Sequence, residues 1–470
     1  MNSHIVVSWA LTDLDWIVFS GILLLTLLSI AYGHLVKKPR PSGDGEEGFL
    51  ELLLMGRRLT LPMFVATLVA TWYGGIFGVT AIAFEQGLYN FITQGVFWYL
   101  TYILFALWLV DKVRARKAAT LADLVGEMFG PSSRKLAALF NFLNVVPVTY
   151  AIALGIFLQM IFHHLSFPKA MILGTGFVAA YSMYGGLRSV VYSDLIQFFV
   201  MCSAVFLVAL LSVSTFGGLD YLRSHLPPLH FSFTGGESLG SVLAWGLIAL
   251  STLVDPNFYQ RSLAASSSRV AKRGIFISTL IWLLFDLSTT FGAMYAKASI
   301  PNAQPDRAYL IYALQILPDG LRGFFLAGLL ATILSTMDSY FFIAGSSLTY
   351  DLVPKRWRRP SLYPVGIVGT AVLACGLGLL FDGHIKNVWK TLGSYSASCL
   401  LLPVVVGHLF PGRLSDRAFF LSCTLGILGT TWWRLFPLEG PWQNLDELYV
   451  GSLFTLFGIA ASFFLSGKKA

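Results

Sequence analysis

The chain has 470 residues, 56% of them hydrophobic and only 12% charged, with a mean hydropathy of +0.70 and a net charge of +8. A soluble domain carries roughly 25% charged residues, so the composition describes an integral membrane protein, with no connection long enough to hold a soluble catalytic domain. The positive excess reads as a membrane-topology signal and an attraction to anionic lipid headgroups rather than as nucleic-acid binding.

About thirteen apolar stretches recur along the chain, each long enough to cross a hydrocarbon layer of roughly 30 Å. They lie near residues 14–34, 60–84, 88–110, 136–162, 170–187, 189–214, 237–256, 274–296, 321–349, 361–381, 388–410, 418–435 and 447–466. The first lacks a basic start and a small-residue cleavage site, so it is expected to be a retained helix rather than a signal peptide. With the N-terminus outside, most of the 32 Lys and Arg residues fall in inside connections, which predicts an odd number of crossings and a cytoplasmic C-terminus. Cys202, Cys375, Cys399 and Cys423 all lie within apolar stretches and read as small buried hydrophobes.

The second stretch contains "ATWYGGIFG" (residues 70–78), with Gly74-Gly75 in the middle of a span. The seventh ends at Asp255-Pro256-Asn257. In lipid, a broken helix survives only where it is buried or lines a wet cavity. Two breaks five stretches apart mark the matched discontinuous helices of an inverted-repeat transporter. The alternative is close helix packing at Gly74-Gly75 and a simple helix end at Pro256.

Four carboxylates, Asp194, Asp255, Asp286 and Asp338, fall within or beside apolar spans, where an unpaired charge costs several kcal/mol. In "STMDS", Ser335, Thr336, Asp338 and Ser339 put oxygen on much of one helical face. Oxygen donors suit a hard cation, and a single carboxylate suits a weakly held monovalent one. The alternative is hydroxyls bonding back to the preceding turn. Asp286 reads as a hydrogen-bonded core acid or a group beside an aqueous path. No Arg or Lys is expected deep in a core helix, which weighs against a multiply charged anionic solute.

Residues 181–201, "YSMYGGLRSVVYSDLIQFFVM", resemble the signature of the solute:sodium symporter family. Residues 326–352, "LAGLLATILSTMDSYFFIAGSSLTYDL", resemble that family's ion-binding segment, and residues 255–274, "DPNFYQRSLAASSSRVAKRG", its seventh segment. "ATWYGG" and "STMDS" are most similar to the choline-transporter branch. The resemblance implies an all-α five-plus-five inverted repeat with discontinuous first and sixth core helices. The repeats would be residues 60–214 and 237–410, preceded by an extra helix and loop (1–59) and followed by extra helices (411–470).

It also implies a sodium site made by the carbonyls of Leu68, Thr71 and Thr332 with the hydroxyls of Ser335 and Thr336. A second sodium or proton site would involve Asp194, Asp338 and Ser339. Substrate candidates at the same midplane are Trp72, Tyr73, Gln94, Tyr150, Asp255, Asn257 and Tyr259. Of the choline-type aromatic cage only Trp72 matches; the other positions align with Val146 and Asp255. Asp255 would favour an ammonium-bearing solute, or else would cap the inner half-helix or pair with Arg261.

The function expected is a sodium-coupled symporter in the cell membrane importing a small organic solute, with no organic cofactor and no obligatory protein partner. A proton-coupled carrier on the same fold is the nearer alternative. A membrane sensor is the other, although with "SGKKA" directly after the last span no output module is expected. An enzyme is the least expected, since no HExxH, nucleophile elbow or paired His cluster occurs.

Overall fold

The structure is a computed structural model that describes residues 11–35, 46–116, 118–436 and 445–466. The basic flank Lys37, Lys38 and Arg40, as well as Lys117, Lys468 and Lys469, lies outside the described residues. Among the described residues the secondary structure is helical, apart from one parallel bridge between Leu59 and Ala265. Nine helices there are long and apolar enough to cross a membrane.

In chain order, α1 is Asp13–Leu35 and the short α2 is Glu46–Leu54. Helices α3 (Leu61–Ala70) and α4 (Ile76–Gln86) form two halves of one broken stretch, each too short to cross alone. Helix α5 (Leu88–Arg114) follows. Helices α6 (Pro131–Asn144) and α7 (Val148–Ile161) meet at an interruption around Pro147, whose missing N–H cannot continue the ladder. The chain continues through α8 (Phe167–Ser182) and α9 (Gly186–Phe216), then the second broken pair, α10 (Leu239–Leu250) and α11 (Pro256–Ala264). Then come α12 (Ser268–Ser299), α13 (Pro305–Ile316), α14 (Leu321–Ser346), α15 (Tyr363–Leu380), α16 (Ile385–Leu409), α17 (Asp416–Leu435) and α18 (Glu447–Ser466).

Solvation explains the arrangement. Helix α1 carries exposed Leu24, Leu28 and Tyr32 and has only 17% of its apolar window buried, whereas the window of the α14 span is 94% buried. A helix apolar on all sides and buried on all sides belongs at the centre of a bundle; one apolar and exposed faces lipid. Exposed Leu210, Val365, Leu428 and Phe457 extend the lipid-facing surface over α9, α15, α17 and α18.

The central helix is anchored from the periphery. Asp15, buried at the start of α1, accepts hydrogen bonds from the N–H groups of Gly320 (2.7 Å) and Gly323 (3.0 Å), which α14 leaves without intrahelical partners. Asp15→Ala is therefore expected to orphan two donors and destabilise the fold by about 1–3 kcal/mol per buried donor. A lowered melting midpoint in detergent, partly restored in Asp15→Asn, checks this.

The ends of the broken helices are joined. The Leu59 N–H donates to the Ala264 carbonyl (3.0 Å), and the Ser266 N–H donates to the Leu59 carbonyl (2.9 Å). Arg114 Nη1 donates to the carbonyls of Ser262 and Ala265, each at 2.7 Å, collecting acceptors that the end of α11 leaves unmatched. Half-helices α3 and α11 therefore form one sub-assembly, and between them lies the polar centre described next.

Candidate functional site

Residues 71–75 leave the helix between α3 and α4. The two glycines there are required by what approaches them. A Cβ on Gly74 would stand 2.6 Å from Thr336 Cβ and from Tyr150 Cδ1; one on Gly75 would stand 2.1 Å from Trp389 Cζ2. Without side chains, the backbone lies directly against α14 and α16, and the Gly74 N–H donates to Thr336 Oγ1 at 2.8 Å. The second break runs through a tight turn at Ser251–Val254 to Asp255, which is extended (φ −79°, ψ 120°). Asp255 caps α11: its Oδ1 accepts from the N–H groups of Asn257 (2.8 Å) and Phe258 (3.3 Å), with Pro256 at the first helical position.

Oxygen atoms converge where α3 ends. Ser335 Oγ is 2.8 Å and Thr336 Oγ1 3.2 Å from the Ala70 carbonyl oxygen, and the same hydroxyls lie 3.3 and 2.9 Å from the Thr332 carbonyl. Thr332, Ser335 and Thr336 are thus brought together at the break. The α3 carbonyl they meet is that of Ala70, the last residue of α3, between the expected Leu68 and Thr71. The Thr71 hydroxyl contributes elsewhere: it is 2.6 Å from the Thr67 carbonyl and 3.1 Å from Ser339 Oγ.

One turn along α14, Asp194 and Ser339 come together around a cation expected in a connection, Arg261, while Asp338 is held by Ser193 on α9. Arg261 is fully buried. Its Nη2 donates to the hydroxyls of Ser339 (2.9 Å) and Thr71, its Nη1 to Asn257 Oδ1 (3.3 Å) and its Nε to Thr67 Oγ1 (3.3 Å). Asp194 Oδ2 lies 3.9 Å from Nη2 and accepts from the Thr67 hydroxyl. Asp338 Oδ2 accepts from Ser193 Oγ at 3.3 Å. The expectation of no deep Arg or Lys is therefore corrected: the helix continues through Arg261 to Ala264, and the Asp194 carboxylate and hydroxyls of Thr67, Thr71 and Ser339 offset the cost of burying the charge.

Across the break from this centre, a cavity of about 150 Å³ opens between the two helix breaks, roughly tenfold the volume that one water requires. Trp72, Tyr73, Gln94, Tyr150 and Asp255 line it, as the sequence analysis anticipated. Asn257 and Tyr259 do not. They follow the cap on α11 and face away, Asn257 onto Arg261 and Tyr259 onto the Leu253 carbonyl (2.9 Å) and the Phe105 ring.

Sequence reasoning missed Trp98, Trp245, Tyr340 and Trp389, which complete the walls. The rings support one another: Tyr150 and Tyr340 meet edge to face at 4.7 Å, and Trp72 stands edge-on to Tyr102 and Phe258 at 5.5 and 5.8 Å. Asp286 also lines the cavity; it is buried and accepts a hydrogen bond from the Tyr99 hydroxyl. Among the described residues the lining contains two carboxylates, Asp255 and Asp286, and no Lys or Arg. Gln94 sits in a widened helical turn, residues 91–96, of the kind that recurs at functional sites.

The model of the "Sodium:solute symporter family" matches residues 52–369, more than half of the chain. The chain belongs to the sodium:solute symporter family. Among similar proteins, the high-affinity proline transporter PutP of Bacillus subtilis (strain 168) is 24% identical over 374 residues, covering 74% of this chain and 77% of that one. The sodium/glucose cotransporter of Vibrio parahaemolyticus is 25% identical over 400 residues, covering 73% and 70%. A solved structure of a Na+-coupled sialic acid symporter, substrate-bound and outward-open, superimposes with a TM-score of 0.78 over 97% of this chain and 98% of that one at 14% identity, a likeness of fold. As a sodium:solute symporter family member, the chain is a multi-pass membrane transporter coupled to sodium and not an enzyme.

Proposed function

We propose that this symporter imports a small ammonium-bearing solute, an amine or an amino acid, together with sodium by alternating access. Sodium binds at the end of α3, among the Ala70 and Thr332 carbonyls and the Ser335 and Thr336 hydroxyls, with the carbonyls of Leu68 and Thr71 on either side. Residues 60–214 and 237–410 form the two inverted repeats within thirteen crossings, with the N-terminus outside and the C-terminus cytoplasmic.

The observation that carries the choice of solute is the charge of the cavity. Among the described residues its lining has two carboxylates, Asp255 and Asp286, and no Lys or Arg, and the aromatic faces of Trp72, Tyr150 and Trp389 attract cations as well. An anionic sugar acid or phosphate, with no cationic part to pair with Asp255 or Asp286, would find no Lys or Arg in that lining. An amino acid also fits if its carboxylate faces the start of α4, where the helix dipole favours an anion. Proline carriers among the relatives are consistent with this class; the glucose and inositol carriers are not.

The coupling follows from geometry. A cation at the α3 end draws on the same Thr336 hydroxyl that receives the Gly74 N–H, so occupancy bears directly on the break that shapes the cavity. A thermal-shift panel of amines, amino acids, sugars and carboxylates, each in sodium and in potassium, tests the proposal. An ammonium-bearing compound is expected to stabilise the protein in sodium only. Stabilisation by a sugar would overturn the solute class, and equal stabilisation in potassium would overturn the coupling.

A further inference from the structure

The connection between α14 and α15 reads Pro354-Lys355-Arg356-Trp357-Arg358-Arg359-Pro360, a tryptophan with two cations on either side. We propose that this connection binds the headgroup of an anionic phospholipid, and that the bound lipid steadies the Tyr350 end of the central span. The site is separate from the solute cavity and from the sodium site.

Its depth follows from its flanks. Exposed Leu352 precedes the run, and exposed Leu362 and Val365 follow it on the lipid-facing side of α15. The run therefore lies between two lipid-facing leucines, where the chain leaves the hydrocarbon and re-enters it. Trp357 is exposed there, with the Arg356 guanidinium 5.2 Å from its ring centre, and an amphipathic indole favours that depth. Two single helical turns, Lys355–Trp357 and Pro360–Leu362, keep the four cations close together.

Charge separates this run from the other basic positions. Arg134 pairs with Asp123, Arg188 with Glu51, Arg322 with Asp319 and Lys390 with Asp446. Among the described residues, Lys355, Arg356, Arg358 and Arg359 have no ion-pair partner. Arg358 is half-buried, its guanidinium 4.2 Å from the centre of the Tyr350 ring, and its Nε is buried with no hydrogen-bond partner among the described residues. A buried donor without an acceptor is costly, and a phosphodiester oxygen is an acceptor that suits a guanidinium. A phospholipid also lays its acyl chains against Leu362 and Val365; a soluble anion has nothing to place there.

Arg358 carries the effect inward. The Tyr350 hydroxyl donates to Asp123 Oδ2 (3.2 Å) on the helix Leu121–Met128. Arg134 of α6 holds Asp123 Oδ1 at 2.9 Å and donates to the Asp351 carbonyl at 3.0 Å, while the Thr120 hydroxyl donates to Asp351 Oδ1 at 2.8 Å. A phosphate on Arg358 thus presses the guanidinium onto Tyr350 and steadies a clamp that joins the end of the central span to α6.

The test places the purified full-length chain in nanodiscs of phosphatidylcholine with increasing phosphatidylglycerol and follows the melting midpoint. The midpoint of the wild type is expected to rise with phosphatidylglycerol. In Lys355→Gln/Arg356→Gln/Arg359→Gln, the phosphatidylglycerol fraction needed for half the rise is expected to increase about fivefold for each charge removed. All three side chains are exposed, so the variant is expected to melt like the wild type in phosphatidylcholine alone. Arg269→Gln/Arg273→Gln/Arg413→Gln removes as many exposed charges elsewhere and is expected to respond like the wild type. Equal weakening in both triple variants would reduce the site to diffuse charge, and no weakening in the first would remove it. Arg358→Gln is expected to lose the rise while native mass spectrometry still finds phosphatidylglycerol bound; a full rise in that variant would overturn the link to Tyr350. Equal stabilisation of the detergent-solubilised chain by glycerol phosphate would make the ligand a soluble anion and overturn the lipid.

Discussion

Replacing Ser335 and Thr336 together with alanine is expected to raise the sodium concentration needed for half-maximal solute stabilisation by at least about tenfold for each hydroxyl lost, on the basis of about 1.4 kcal/mol per decade. Both side chains lie within hydrogen-bonding distance of the Ala70 carbonyl, where the first broken helix ends. A cation there needs several oxygens at once, and a methyl group in place of a hydroxyl supplies none. The double variant is expected to fold, because both hydroxyls also lie close to carbonyls of their own helix, bonds whose loss costs little in a helix that retains its backbone ladder. Thr336→Ser keeps the oxygen and the Gly74 contact, and so is expected to retain sodium activation. Equal sodium activation in the wild type and the double variant would remove the site from α14.

The second large effect is expected at Asp255. This residue both caps α11 and lines the cavity, and two substitutions separate the roles. Asn caps helices about as well as Asp. Asp255→Asn is therefore expected to fold normally and keep its sodium affinity, while losing tenfold or more in affinity for an ammonium-bearing solute, since a charge-assisted hydrogen bond is about twice as strong as a neutral one. Asp255→Ala removes the cap as well and is expected to lower the melting midpoint. Near-normal equilibrium binding in Asp255→Asn with an altered transport rate would make the residue a gate element instead. Normal binding with normal transport would leave it a cap alone.

Both helix breaks were visible in the sequence because the residues that make them are conspicuous in an apolar run: paired glycines at 74–75 and Asp-Pro at 255–256. The hydroxyls of the proposed sodium site were visible for the same reason, as a hydroxyl-rich turn inside α14. Arg261 was hidden by the same logic. Hydropathy falls at Pro256 and stays low through Asn257, Gln260 and Arg261, so the span seemed to end there; only tertiary structure supplies the carboxylate and hydroxyls that make a charged half-helix tolerable in the interior. The cavity walls were hidden by their dispersal. Trp98, Trp245, Tyr340 and Trp389 come from four helices, and among 12 Trp and 19 Tyr nothing local distinguishes a lining ring from a packing one. The carbonyl that meets these hydroxyls, Ala70, is one or two positions from those expected, because where a helix stops inside an apolar run leaves no mark in the hydropathy pattern.

The most direct test of sodium coupling is uptake into proteoliposomes of the radiolabelled amines and amino acids that stabilise the protein, under an inward sodium gradient with no pH difference, and again under an inward proton gradient with potassium replacing sodium. Accumulation driven by sodium alone, and lost in the Ser335→Ala/Thr336→Ala variant, is the predicted result. Accumulation that follows the proton gradient in the absence of sodium would contradict the account.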